Sequence, residues 1–211
     1  MKESWKQFFK IKYTPLVFII TIIVLITLLH FFGRFLVFVE ARPGTVIPDP
    51  LFKLFQARDY NTPIFILIYG SLITGIISLI PHPKYLTIAL QTYSLMVLFR
   101  FIAMYLTPLE VPEGIINLRD PLVFTIGTGQ IITKDLFFSG HIASLTILFL
   151  TAKNKFLKWM FLVFAIVVGG MIFMQKAHYT IDMIAAPVFA YVAYSIAKGI
   201  WKKIFKEKEY D

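Results

Sequence analysis

Asp135-Leu-Phe-Phe-Ser-Gly-His141 leads directly into a run of apolar residues, and so does a second stretch, His178-Tyr-Thr-Ile-Asp182. Each places ionisable groups at the mouth of an apolar segment, where an unpaired charge is costly in a membrane. In the second stretch His178 and Asp182 are four residues apart, so on a helix they share a face and can pair. The two stretches therefore predict membrane helices that carry a polar site at their ends.

The composition predicts a membrane protein, because 58% of the 211 residues are hydrophobic and only 16% are charged. The long apolar runs predict an all-α, polytopic fold with six transmembrane helices. We expect residues 1–13 to be a basic interfacial segment, 14–200 to be the six-helix catalytic domain, and 201–211 to be a basic cytoplasmic tail. The six spans are predicted at 14–32, 63–80, 85–106, 136–152, 159–174 and 179–197.

The distribution of lysine and arginine predicts the orientation of the chain. With a cytoplasmic N-terminus, thirteen basic residues fall inside and eight outside, which favours cytoplasmic termini. The first, third and fifth loops then face the non-cytoplasmic side and carry His141, His178 and Asp182. The formal charge of +9 comes largely from lysines at both termini and in one short loop. That placement suits anionic lipid headgroups, and we expect no nucleic-acid partner.

Two histidines and a carboxylate are the groups needed for phosphoryl transfer through a covalent histidine. Asp182 would fix the tautomer of His178 and raise the basicity of its free nitrogen. His178 would attack phosphorus while His141 protonates the departing oxygen. No metal or other cofactor is expected, because no third loop histidine or glutamate is placed to complete a zinc site and the chain has no cysteine.

Ser139-Gly-His141 together with His178-Tyr-Thr-Ile-Asp182 resembles the sphingomyelin synthase family, a branch of the type 2 phosphatidic acid phosphatase superfamily. The motifs of that family read G-D-x-x-x-S-G-H-T and H-Y-T-x-D. The chain departs from the first motif at Lys134, in place of glycine, and at Ile142, in place of threonine. Two weaker counterparts are the proline-aspartate pair ending at Asp49 and the arginine-led motif starting at Arg100.

The resemblance implies an enzyme that moves phosphocholine or phosphoethanolamine from a glycerophospholipid to a ceramide-like hydroxyl. It implies that His141, His178 and Asp182 are catalytic. The residues expected to bind the substrate are Asp135, Ser139, Arg100, Lys176 and Asp49.

Two other functions remain open. One is a lipid phosphatase or phospholipase C-type hydrolase, although two phosphatase motifs, K-x6-R-P and S-R-x5-H, have no counterpart. Phe35 stands where the first motif would require a lysine, seven residues before Arg42-Pro43. No Ser-Arg pair precedes His178. The other is a non-catalytic, lipid-handling membrane protein. Structural interpretations of single residues are a hydrogen-bonded pair for His178 and Asp182, helix caps for Ser139 and Asp135, and interfacial cations for Arg100 and Lys176.

Overall fold

The apolar runs form helices throughout a computed structural model, which describes residues 5–205. The α-helices in chain order are α1 (Trp5–Phe8), α2 (Thr14–Ala41), α3 (Asn61–Leu79), α4 (Pro83–Leu106), α5 (Gly140–Thr151), α6 (Lys155–Met174) and α7 (Thr180–Phe205). A short 3₁₀ helix covers Pro50–Leu54 and a π-helical turn covers Val123–Thr128. Within residues 5–205 there is no β-strand, only an isolated bridge between Thr45 and Leu109. The predicted all-α class is confirmed.

Five helices, α2, α3, α4, α6 and α7, are long and apolar enough to cross a membrane. This finding supports a multi-pass integral membrane protein. Helix α2 begins at Thr14 as predicted but continues past residue 32 to Ala41. Helix α7 also exceeds its predicted end at residue 197 and runs to Phe205, with Pro187 inside it.

The fourth predicted span, 136–152, is shorter in the structure than expected. Helix α5 has 12 residues, Gly140–Thr151, and at 1.5 Å per residue it reaches roughly 18 Å, against about 30 Å for a bilayer core. The six-span count is therefore not confirmed. Helix α5 instead packs among α3, α4, α6 and α7, and its residues Ala143 and Leu145 are fully buried.

Small residues allow α7 to lie close to its neighbours. Four alanines recur at helical spacing along α7 and are all buried: Ala186, Ala190, Ala193 and Ala197. Small side chains at a membrane helix interface let backbones approach closely and gain van der Waals contact. This stripe lies where α7 packs against α4 and α5.

The first, third and fifth loops meet at one end of the helix bundle. Thr45 bridges to Leu109, and the Arg58 N–H donates to the Met174 carbonyl at 3.0 Å. Lys134 joins two of these segments, because its Nζ donates to Glu110 Oε1 at 2.7 Å and to the Arg42 carbonyl at 3.0 Å. The lysine that replaces the motif glycine therefore anchors the loop that leads into α5.

The opposite end holds the predicted interfacial segment. Trp5 donates from its indole N–H to the Ile80 carbonyl at 2.9 Å, and the Phe8 ring stacks on Trp201 at 6.0 Å. Residues 1–4 of this segment and 206–211 of the predicted tail lie outside the described residues. Residues 201–205, predicted to belong to the tail, form the last turn of α7.

Candidate active site

The two histidine motifs meet at the first turns of α5 and α7. The Ser139 N–H, just before α5, donates to the Asp182 carbonyl in the first turn of α7 at 3.3 Å. One cavity of about 350 Å³ is lined by both His141 and His178, together with Asp120, Asp135 and Arg119. The structure therefore brings the two predicted catalytic histidines to the same cavity.

His178 and Asp182 form the predicted pair. The His178 Nδ1 lies 3.3 Å from Asp182 Oδ2, and the Tyr179 backbone N–H donates to the same oxygen at 3.2 Å. The Asp182 side chain is fully buried and that of His178 is 4% exposed. Because Nδ1 faces the carboxylate, Nε2 is the nitrogen left for chemistry.

The geometry of this pair differs from the sequence-based expectation in one respect. His178 precedes α7, which begins at Thr180, so the two residues do not share a helix face. Asp182 instead folds back from the first turn over the residues that lead into the helix. A carboxylate in that position also interacts favourably with the N-terminal end of the helix dipole.

His141 has a carboxylate partner of its own, Asp120, which sequence reasoning missed. The His141 Nε2 lies 3.3 Å from Asp120 Oδ2, and the Phe65 ring packs edge-on against the imidazole at 5.7 Å. The other oxygen, Oδ1, accepts from the Leu122 and Val123 backbone N–H groups at 2.9 and 3.1 Å. One oxygen of Asp120 thus caps a helical turn while the other faces His141.

Asp120 is ionised over the whole physiological pH range. Burial alone would raise the pKa of its carboxyl, but the hydrogen bond and charge of His141 oppose burial and prevail. Hydrogen bonds from the Tyr69 hydroxyl and the Val123 N–H contribute in the same direction, and the pKa falls from 3.8 to about 2. The sequence offered one signal, since Asp followed by Pro121 is typical of a helix start. That signal gives no indication that the carboxylate faces His141.

Arg100, which is buried, forms an ion pair with the partly exposed Asp135 at the edge of the cavity. The Arg100 guanidinium also lies over the Phe32 ring, 4.9 Å from its centroid. Gly140 leaves room for the guanidinium, because a Cβ at that position would displace it. Asp135 pairs with Arg100, whereas Asp120 is the carboxylate that contacts His141.

Ser139 occupies the N-cap position of α5, yet its side chain makes no capping hydrogen bond. The interpretation of this hydroxyl as a helix cap was therefore wrong. Its Oγ is buried and has no hydrogen-bond partner among the described residues. Three other buried atoms of this cluster share that property: Arg100 Nε, His141 Nδ1 and Asp182 Oδ1.

Asp49 and Lys176 line a second cavity of about 580 Å³ that neither His141 nor His178 lines. Asp49 Oδ2 accepts from the Thr180 N–H at 2.8 Å, so Asp49 supports the start of α7. The Lys176 Nζ donates to the Phe52 carbonyl at 2.8 Å. The structure assigns both residues contacts within the fold, and their role in binding substrate stays a prediction.

Part of the chain is similar to a known protein family. Residues 134–199 match the family model described as PAP2 superfamily C-terminal. No curated protein matches the chain. The matched segment contains Asp135, Ser139, His141, His178 and Asp182. The match supports the PAP2-like superfamily and, with it, a phosphatase- or phosphotransferase-type activity on lipids.

Proposed function

We propose that this protein is an integral-membrane phospholipid headgroup transferase. It moves a phosphocholine- or phosphoethanolamine-type group from a glycerophospholipid to a ceramide-like lipid hydroxyl through a phosphohistidine at His178. The observation that carries the proposal is a single cavity lined by two histidines, each paired with its own carboxylate. Three residues of this constellation, His141, His178 and Asp182, lie in the segment that matches the PAP2 superfamily, and Asp120 lies outside that segment.

In the first half-reaction the Nε2 of His178 attacks the phosphorus of the donor lipid. The N–P bond forms as the bond from phosphorus to the diacylglycerol oxygen breaks, and His141 gives that oxygen a proton. Asp182 stabilises the positive charge that develops on the His178 imidazole. The products of this half are diacylglycerol and a phosphohistidine that still carries the headgroup.

In the second half-reaction the acceptor hydroxyl attacks the same phosphorus. His141, now neutral, takes the hydroxyl proton as the new O–P bond forms and the N–P bond breaks. His178 is then regenerated. The ionised Asp120 stabilises the protonated form of His141. That form is present before the first half-reaction and again after the second.

Cationic and dipolar groups surround the place where phosphoryl charge would develop. Arg119 lines the cavity, and Arg100 lies beside Gly140 at the start of α5. Helix α5 begins at Gly140, next to the cavity-lining His141, so the positive end of its helix dipole lies in this region, which favours an anion. The buried Ser139 Oγ and Arg100 Nε are free to donate hydrogen bonds to a phosphoryl oxygen.

Hydrolysis is the second candidate. The same residues would release a phosphate ester if water replaced the acceptor hydroxyl, and the superfamily match favours this chemistry as much as transfer. Transfer is the first choice because the basic motifs that hold a bare phosphate in the phosphatase branch are missing from the chain.

We propose cytoplasmic termini and an active site on the non-cytoplasmic face. The excess of lysine at the end of the bundle that holds α1 and the last turn of α7 supports this orientation. The end that holds the three loops also holds His141 and His178.

The test supplies the purified protein with phosphatidylcholine or phosphatidylethanolamine, with and without ceramide, and identifies the lipid products. Transfer predicts diacylglycerol and a phospho-headgroup ceramide in equal amounts. Release of phosphocholine, phosphoethanolamine or phosphate at a rate that ignores ceramide would show a hydrolase. Full turnover by a folded His178→Ala variant would show that the cavity does not carry out the reaction.

A further inference from the structure

A large apolar groove on the outer surface of α3 adjoins the catalytic cavity. Its volume is about 940 Å³, and its lining includes Phe65, Tyr69, Ile73, Ile76, Arg119 and Pro121. Arg119 and Pro121 also line the catalytic cavity, so the two spaces meet at this pair of residues. We call this surface the α3 groove.

The wall between the groove and the cavity consists of residues that contact the catalytic machinery. The Phe65 ring lies against His141, and the Tyr69 hydroxyl donates to Asp120. The rings of Phe65 and Tyr69 stack on each other at 5.8 Å. A molecule in the α3 groove would therefore contact Phe65 and Tyr69, which themselves contact His141 and Asp120.

The length of the groove matches one leaflet of a bilayer. Its lining runs from Asn61, at the end of α3 that faces the three loops, to Ile76. Fifteen residues of helix rise roughly 22 Å, close to half of a bilayer that is about 40–45 Å thick with its headgroups. Ile66 and Ile73 on this face are 65% and 60% exposed, as expected for side chains that contact lipid.

The charge at one end of the groove defines its occupant. Arg119 is exposed at the junction with the catalytic cavity, while the rest of the lining is largely apolar. The charge of Arg119 also reaches Asp59, where it adds to the lowering of that carboxyl's pKa by Asn61. An apolar channel with a cation at the level of the loops fits a hydrocarbon chain attached to a phosphate ester.

We infer that the α3 groove seats a hydrocarbon chain of the donor phospholipid, with its phosphate held by Arg119 at the opening into the catalytic cavity. This inference rests on the proposed function for the identity of the donor. The donor then approaches sideways from the bilayer, and Phe65 and Tyr69 separate its chain from the reacting groups. Arg119 is a binding residue in this arrangement, and the chemistry stays with His178 and His141.

The first experiment measures binding and needs no turnover. A photoreactive p-benzoylphenylalanine replaces Ile73 in one protein and Ile77 in another, and each is titrated with dioleoylphosphatidylcholine in detergent micelles. Ile77 is the matched control, because it lies on α3, is 62% exposed, and is not part of the groove. We expect saturable labelling from position 73 and labelling proportional to lipid concentration from position 77.

Arg119→Gln tests the phosphate contact in the same assay. It should raise the half-saturating concentration of dioleoylphosphatidylcholine roughly tenfold, as for the loss of one charged hydrogen-bonding partner. Dioleoylglycerol, which has the same chains and no phosphate, should bind equally to both proteins. Equal labelling from positions 73 and 77, or no effect of Arg119→Gln on phosphatidylcholine, would overturn the inference.

The second experiment measures turnover and separates this inference from the proposed function. Ile73→Trp should raise the KM for dioleoylphosphatidylcholine roughly tenfold by filling the groove, and Ile77→Trp should leave it unchanged. Saturable labelling at position 73 without product from any lipid would support the groove as a lipid-binding site and contradict the proposed transferase activity. Product formation, with labelling proportional to lipid concentration at both positions, would support the proposed activity and contradict the groove as a lipid-binding site.

Discussion

The two histidine–carboxylate pairs of the cavity have the same donor-acceptor distance but different origins. His178 and Asp182 lie four residues apart at the start of α7, and 3.3 Å separates Nδ1 from the carboxylate. His141 and Asp120 are 21 residues apart, and 3.3 Å separates Nε2 from the carboxylate. The first pair is made by one turn of chain, whereas the second requires the third loop to fold over α5.

This difference indicates distinct roles. The local pair leaves Nε2 of its histidine free, as a nucleophile needs, and its carboxylate is fully buried. In the second pair the carboxylate contacts Nε2 and is 19% exposed, which leaves Nδ1 as the nitrogen of His141 without a hydrogen-bond partner among the described residues. We therefore expect the local pair to be essential and the loop-built pair to adjust the rate and its pH dependence.

The largest effect is expected from His178→Ala, which removes the proposed nucleophile. The rate should fall by about 10⁵- to 10⁶-fold, as in other enzymes that lose a covalent nucleophile. His30→Ala is the matched control, because His30 lies on the exposed surface of α2, away from the cavity. The measurement is the steady-state rate of lipid product formation. Equal losses of rate in the two variants would refute the assignment of His178 as the nucleophile.

Asp182→Asn comes next, because an amide cannot stabilise the imidazolium that forms as His178 attacks. A comparable change in a hydrolytic triad costs about 10⁴-fold, and we expect a loss of that order with the fold retained. Product formation and thermal unfolding should be measured on the same preparation. Near-normal turnover in a folded variant would make the carboxylate a structural partner only.

The contrast between the pairs also explains what the sequence could predict. His178 and Asp182 were found because their partnership depends on four residues of local chain. Asp120 was missed because its pairing depends on where a 33-residue loop folds, and a carboxylate before a proline predicts only a local helix start. Asp49 and Lys176 matched expected motifs or positions, yet both lie at a neighbouring cavity.

The same limit applies to the helices. The start of α2 at Thr14 was predicted because an uncharged run begins there. Its end was placed too early, because an exposed arginine such as Arg34 can extend to the membrane surface and the first proline after it is Pro43. Residues 136–139 were assigned to a span because an apolar run does not distinguish helix from buried extended chain.

Asp120→Asn tests the loop-built pair and should have an intermediate effect. Loss of the anion that stabilises protonated His141 should slow turnover by about 10²-fold, at the low end for general acid–base catalysis. Glu113→Gln is the matched control, because Glu113 is an exposed carboxylate of the same loop that does not line the cavity with the two histidines. An unchanged rate would show that Asp120 only caps the turn after it.

The pH dependence of the rate gives a further test of the role of Asp120. With a pKa of about 2, Asp120 stays charged at every pH above 4, so its own titration produces no inflection there. An acid limb above pH 4 that is present in the wild-type rate profile and absent in Asp120→Asn would contradict this low pKa.

The smallest catalytic effect is expected from Asp49→Ala. Asp49 supports the first residue of α7 from outside the cavity, so the variant should lose about 1 kcal/mol of stability, as for a lost helix cap. The rate should fall by less than about tenfold, because raising the activation free energy by one kcal/mol slows a reaction by a factor of about five. A large rise in KM at unchanged melting temperature would restore Asp49 as a substrate-binding residue.

The central claim is that the headgroup passes through a covalent bond to His178. The direct measurement mixes the purified protein with phosphatidylcholine, quenches within milliseconds in base, and analyses the peptides by mass spectrometry. We predict a phosphocholine adduct on His178 that is stable in base, labile in acid and discharged by ceramide. Turnover without any adduct, or an adduct on His141 in place of His178, would contradict the account.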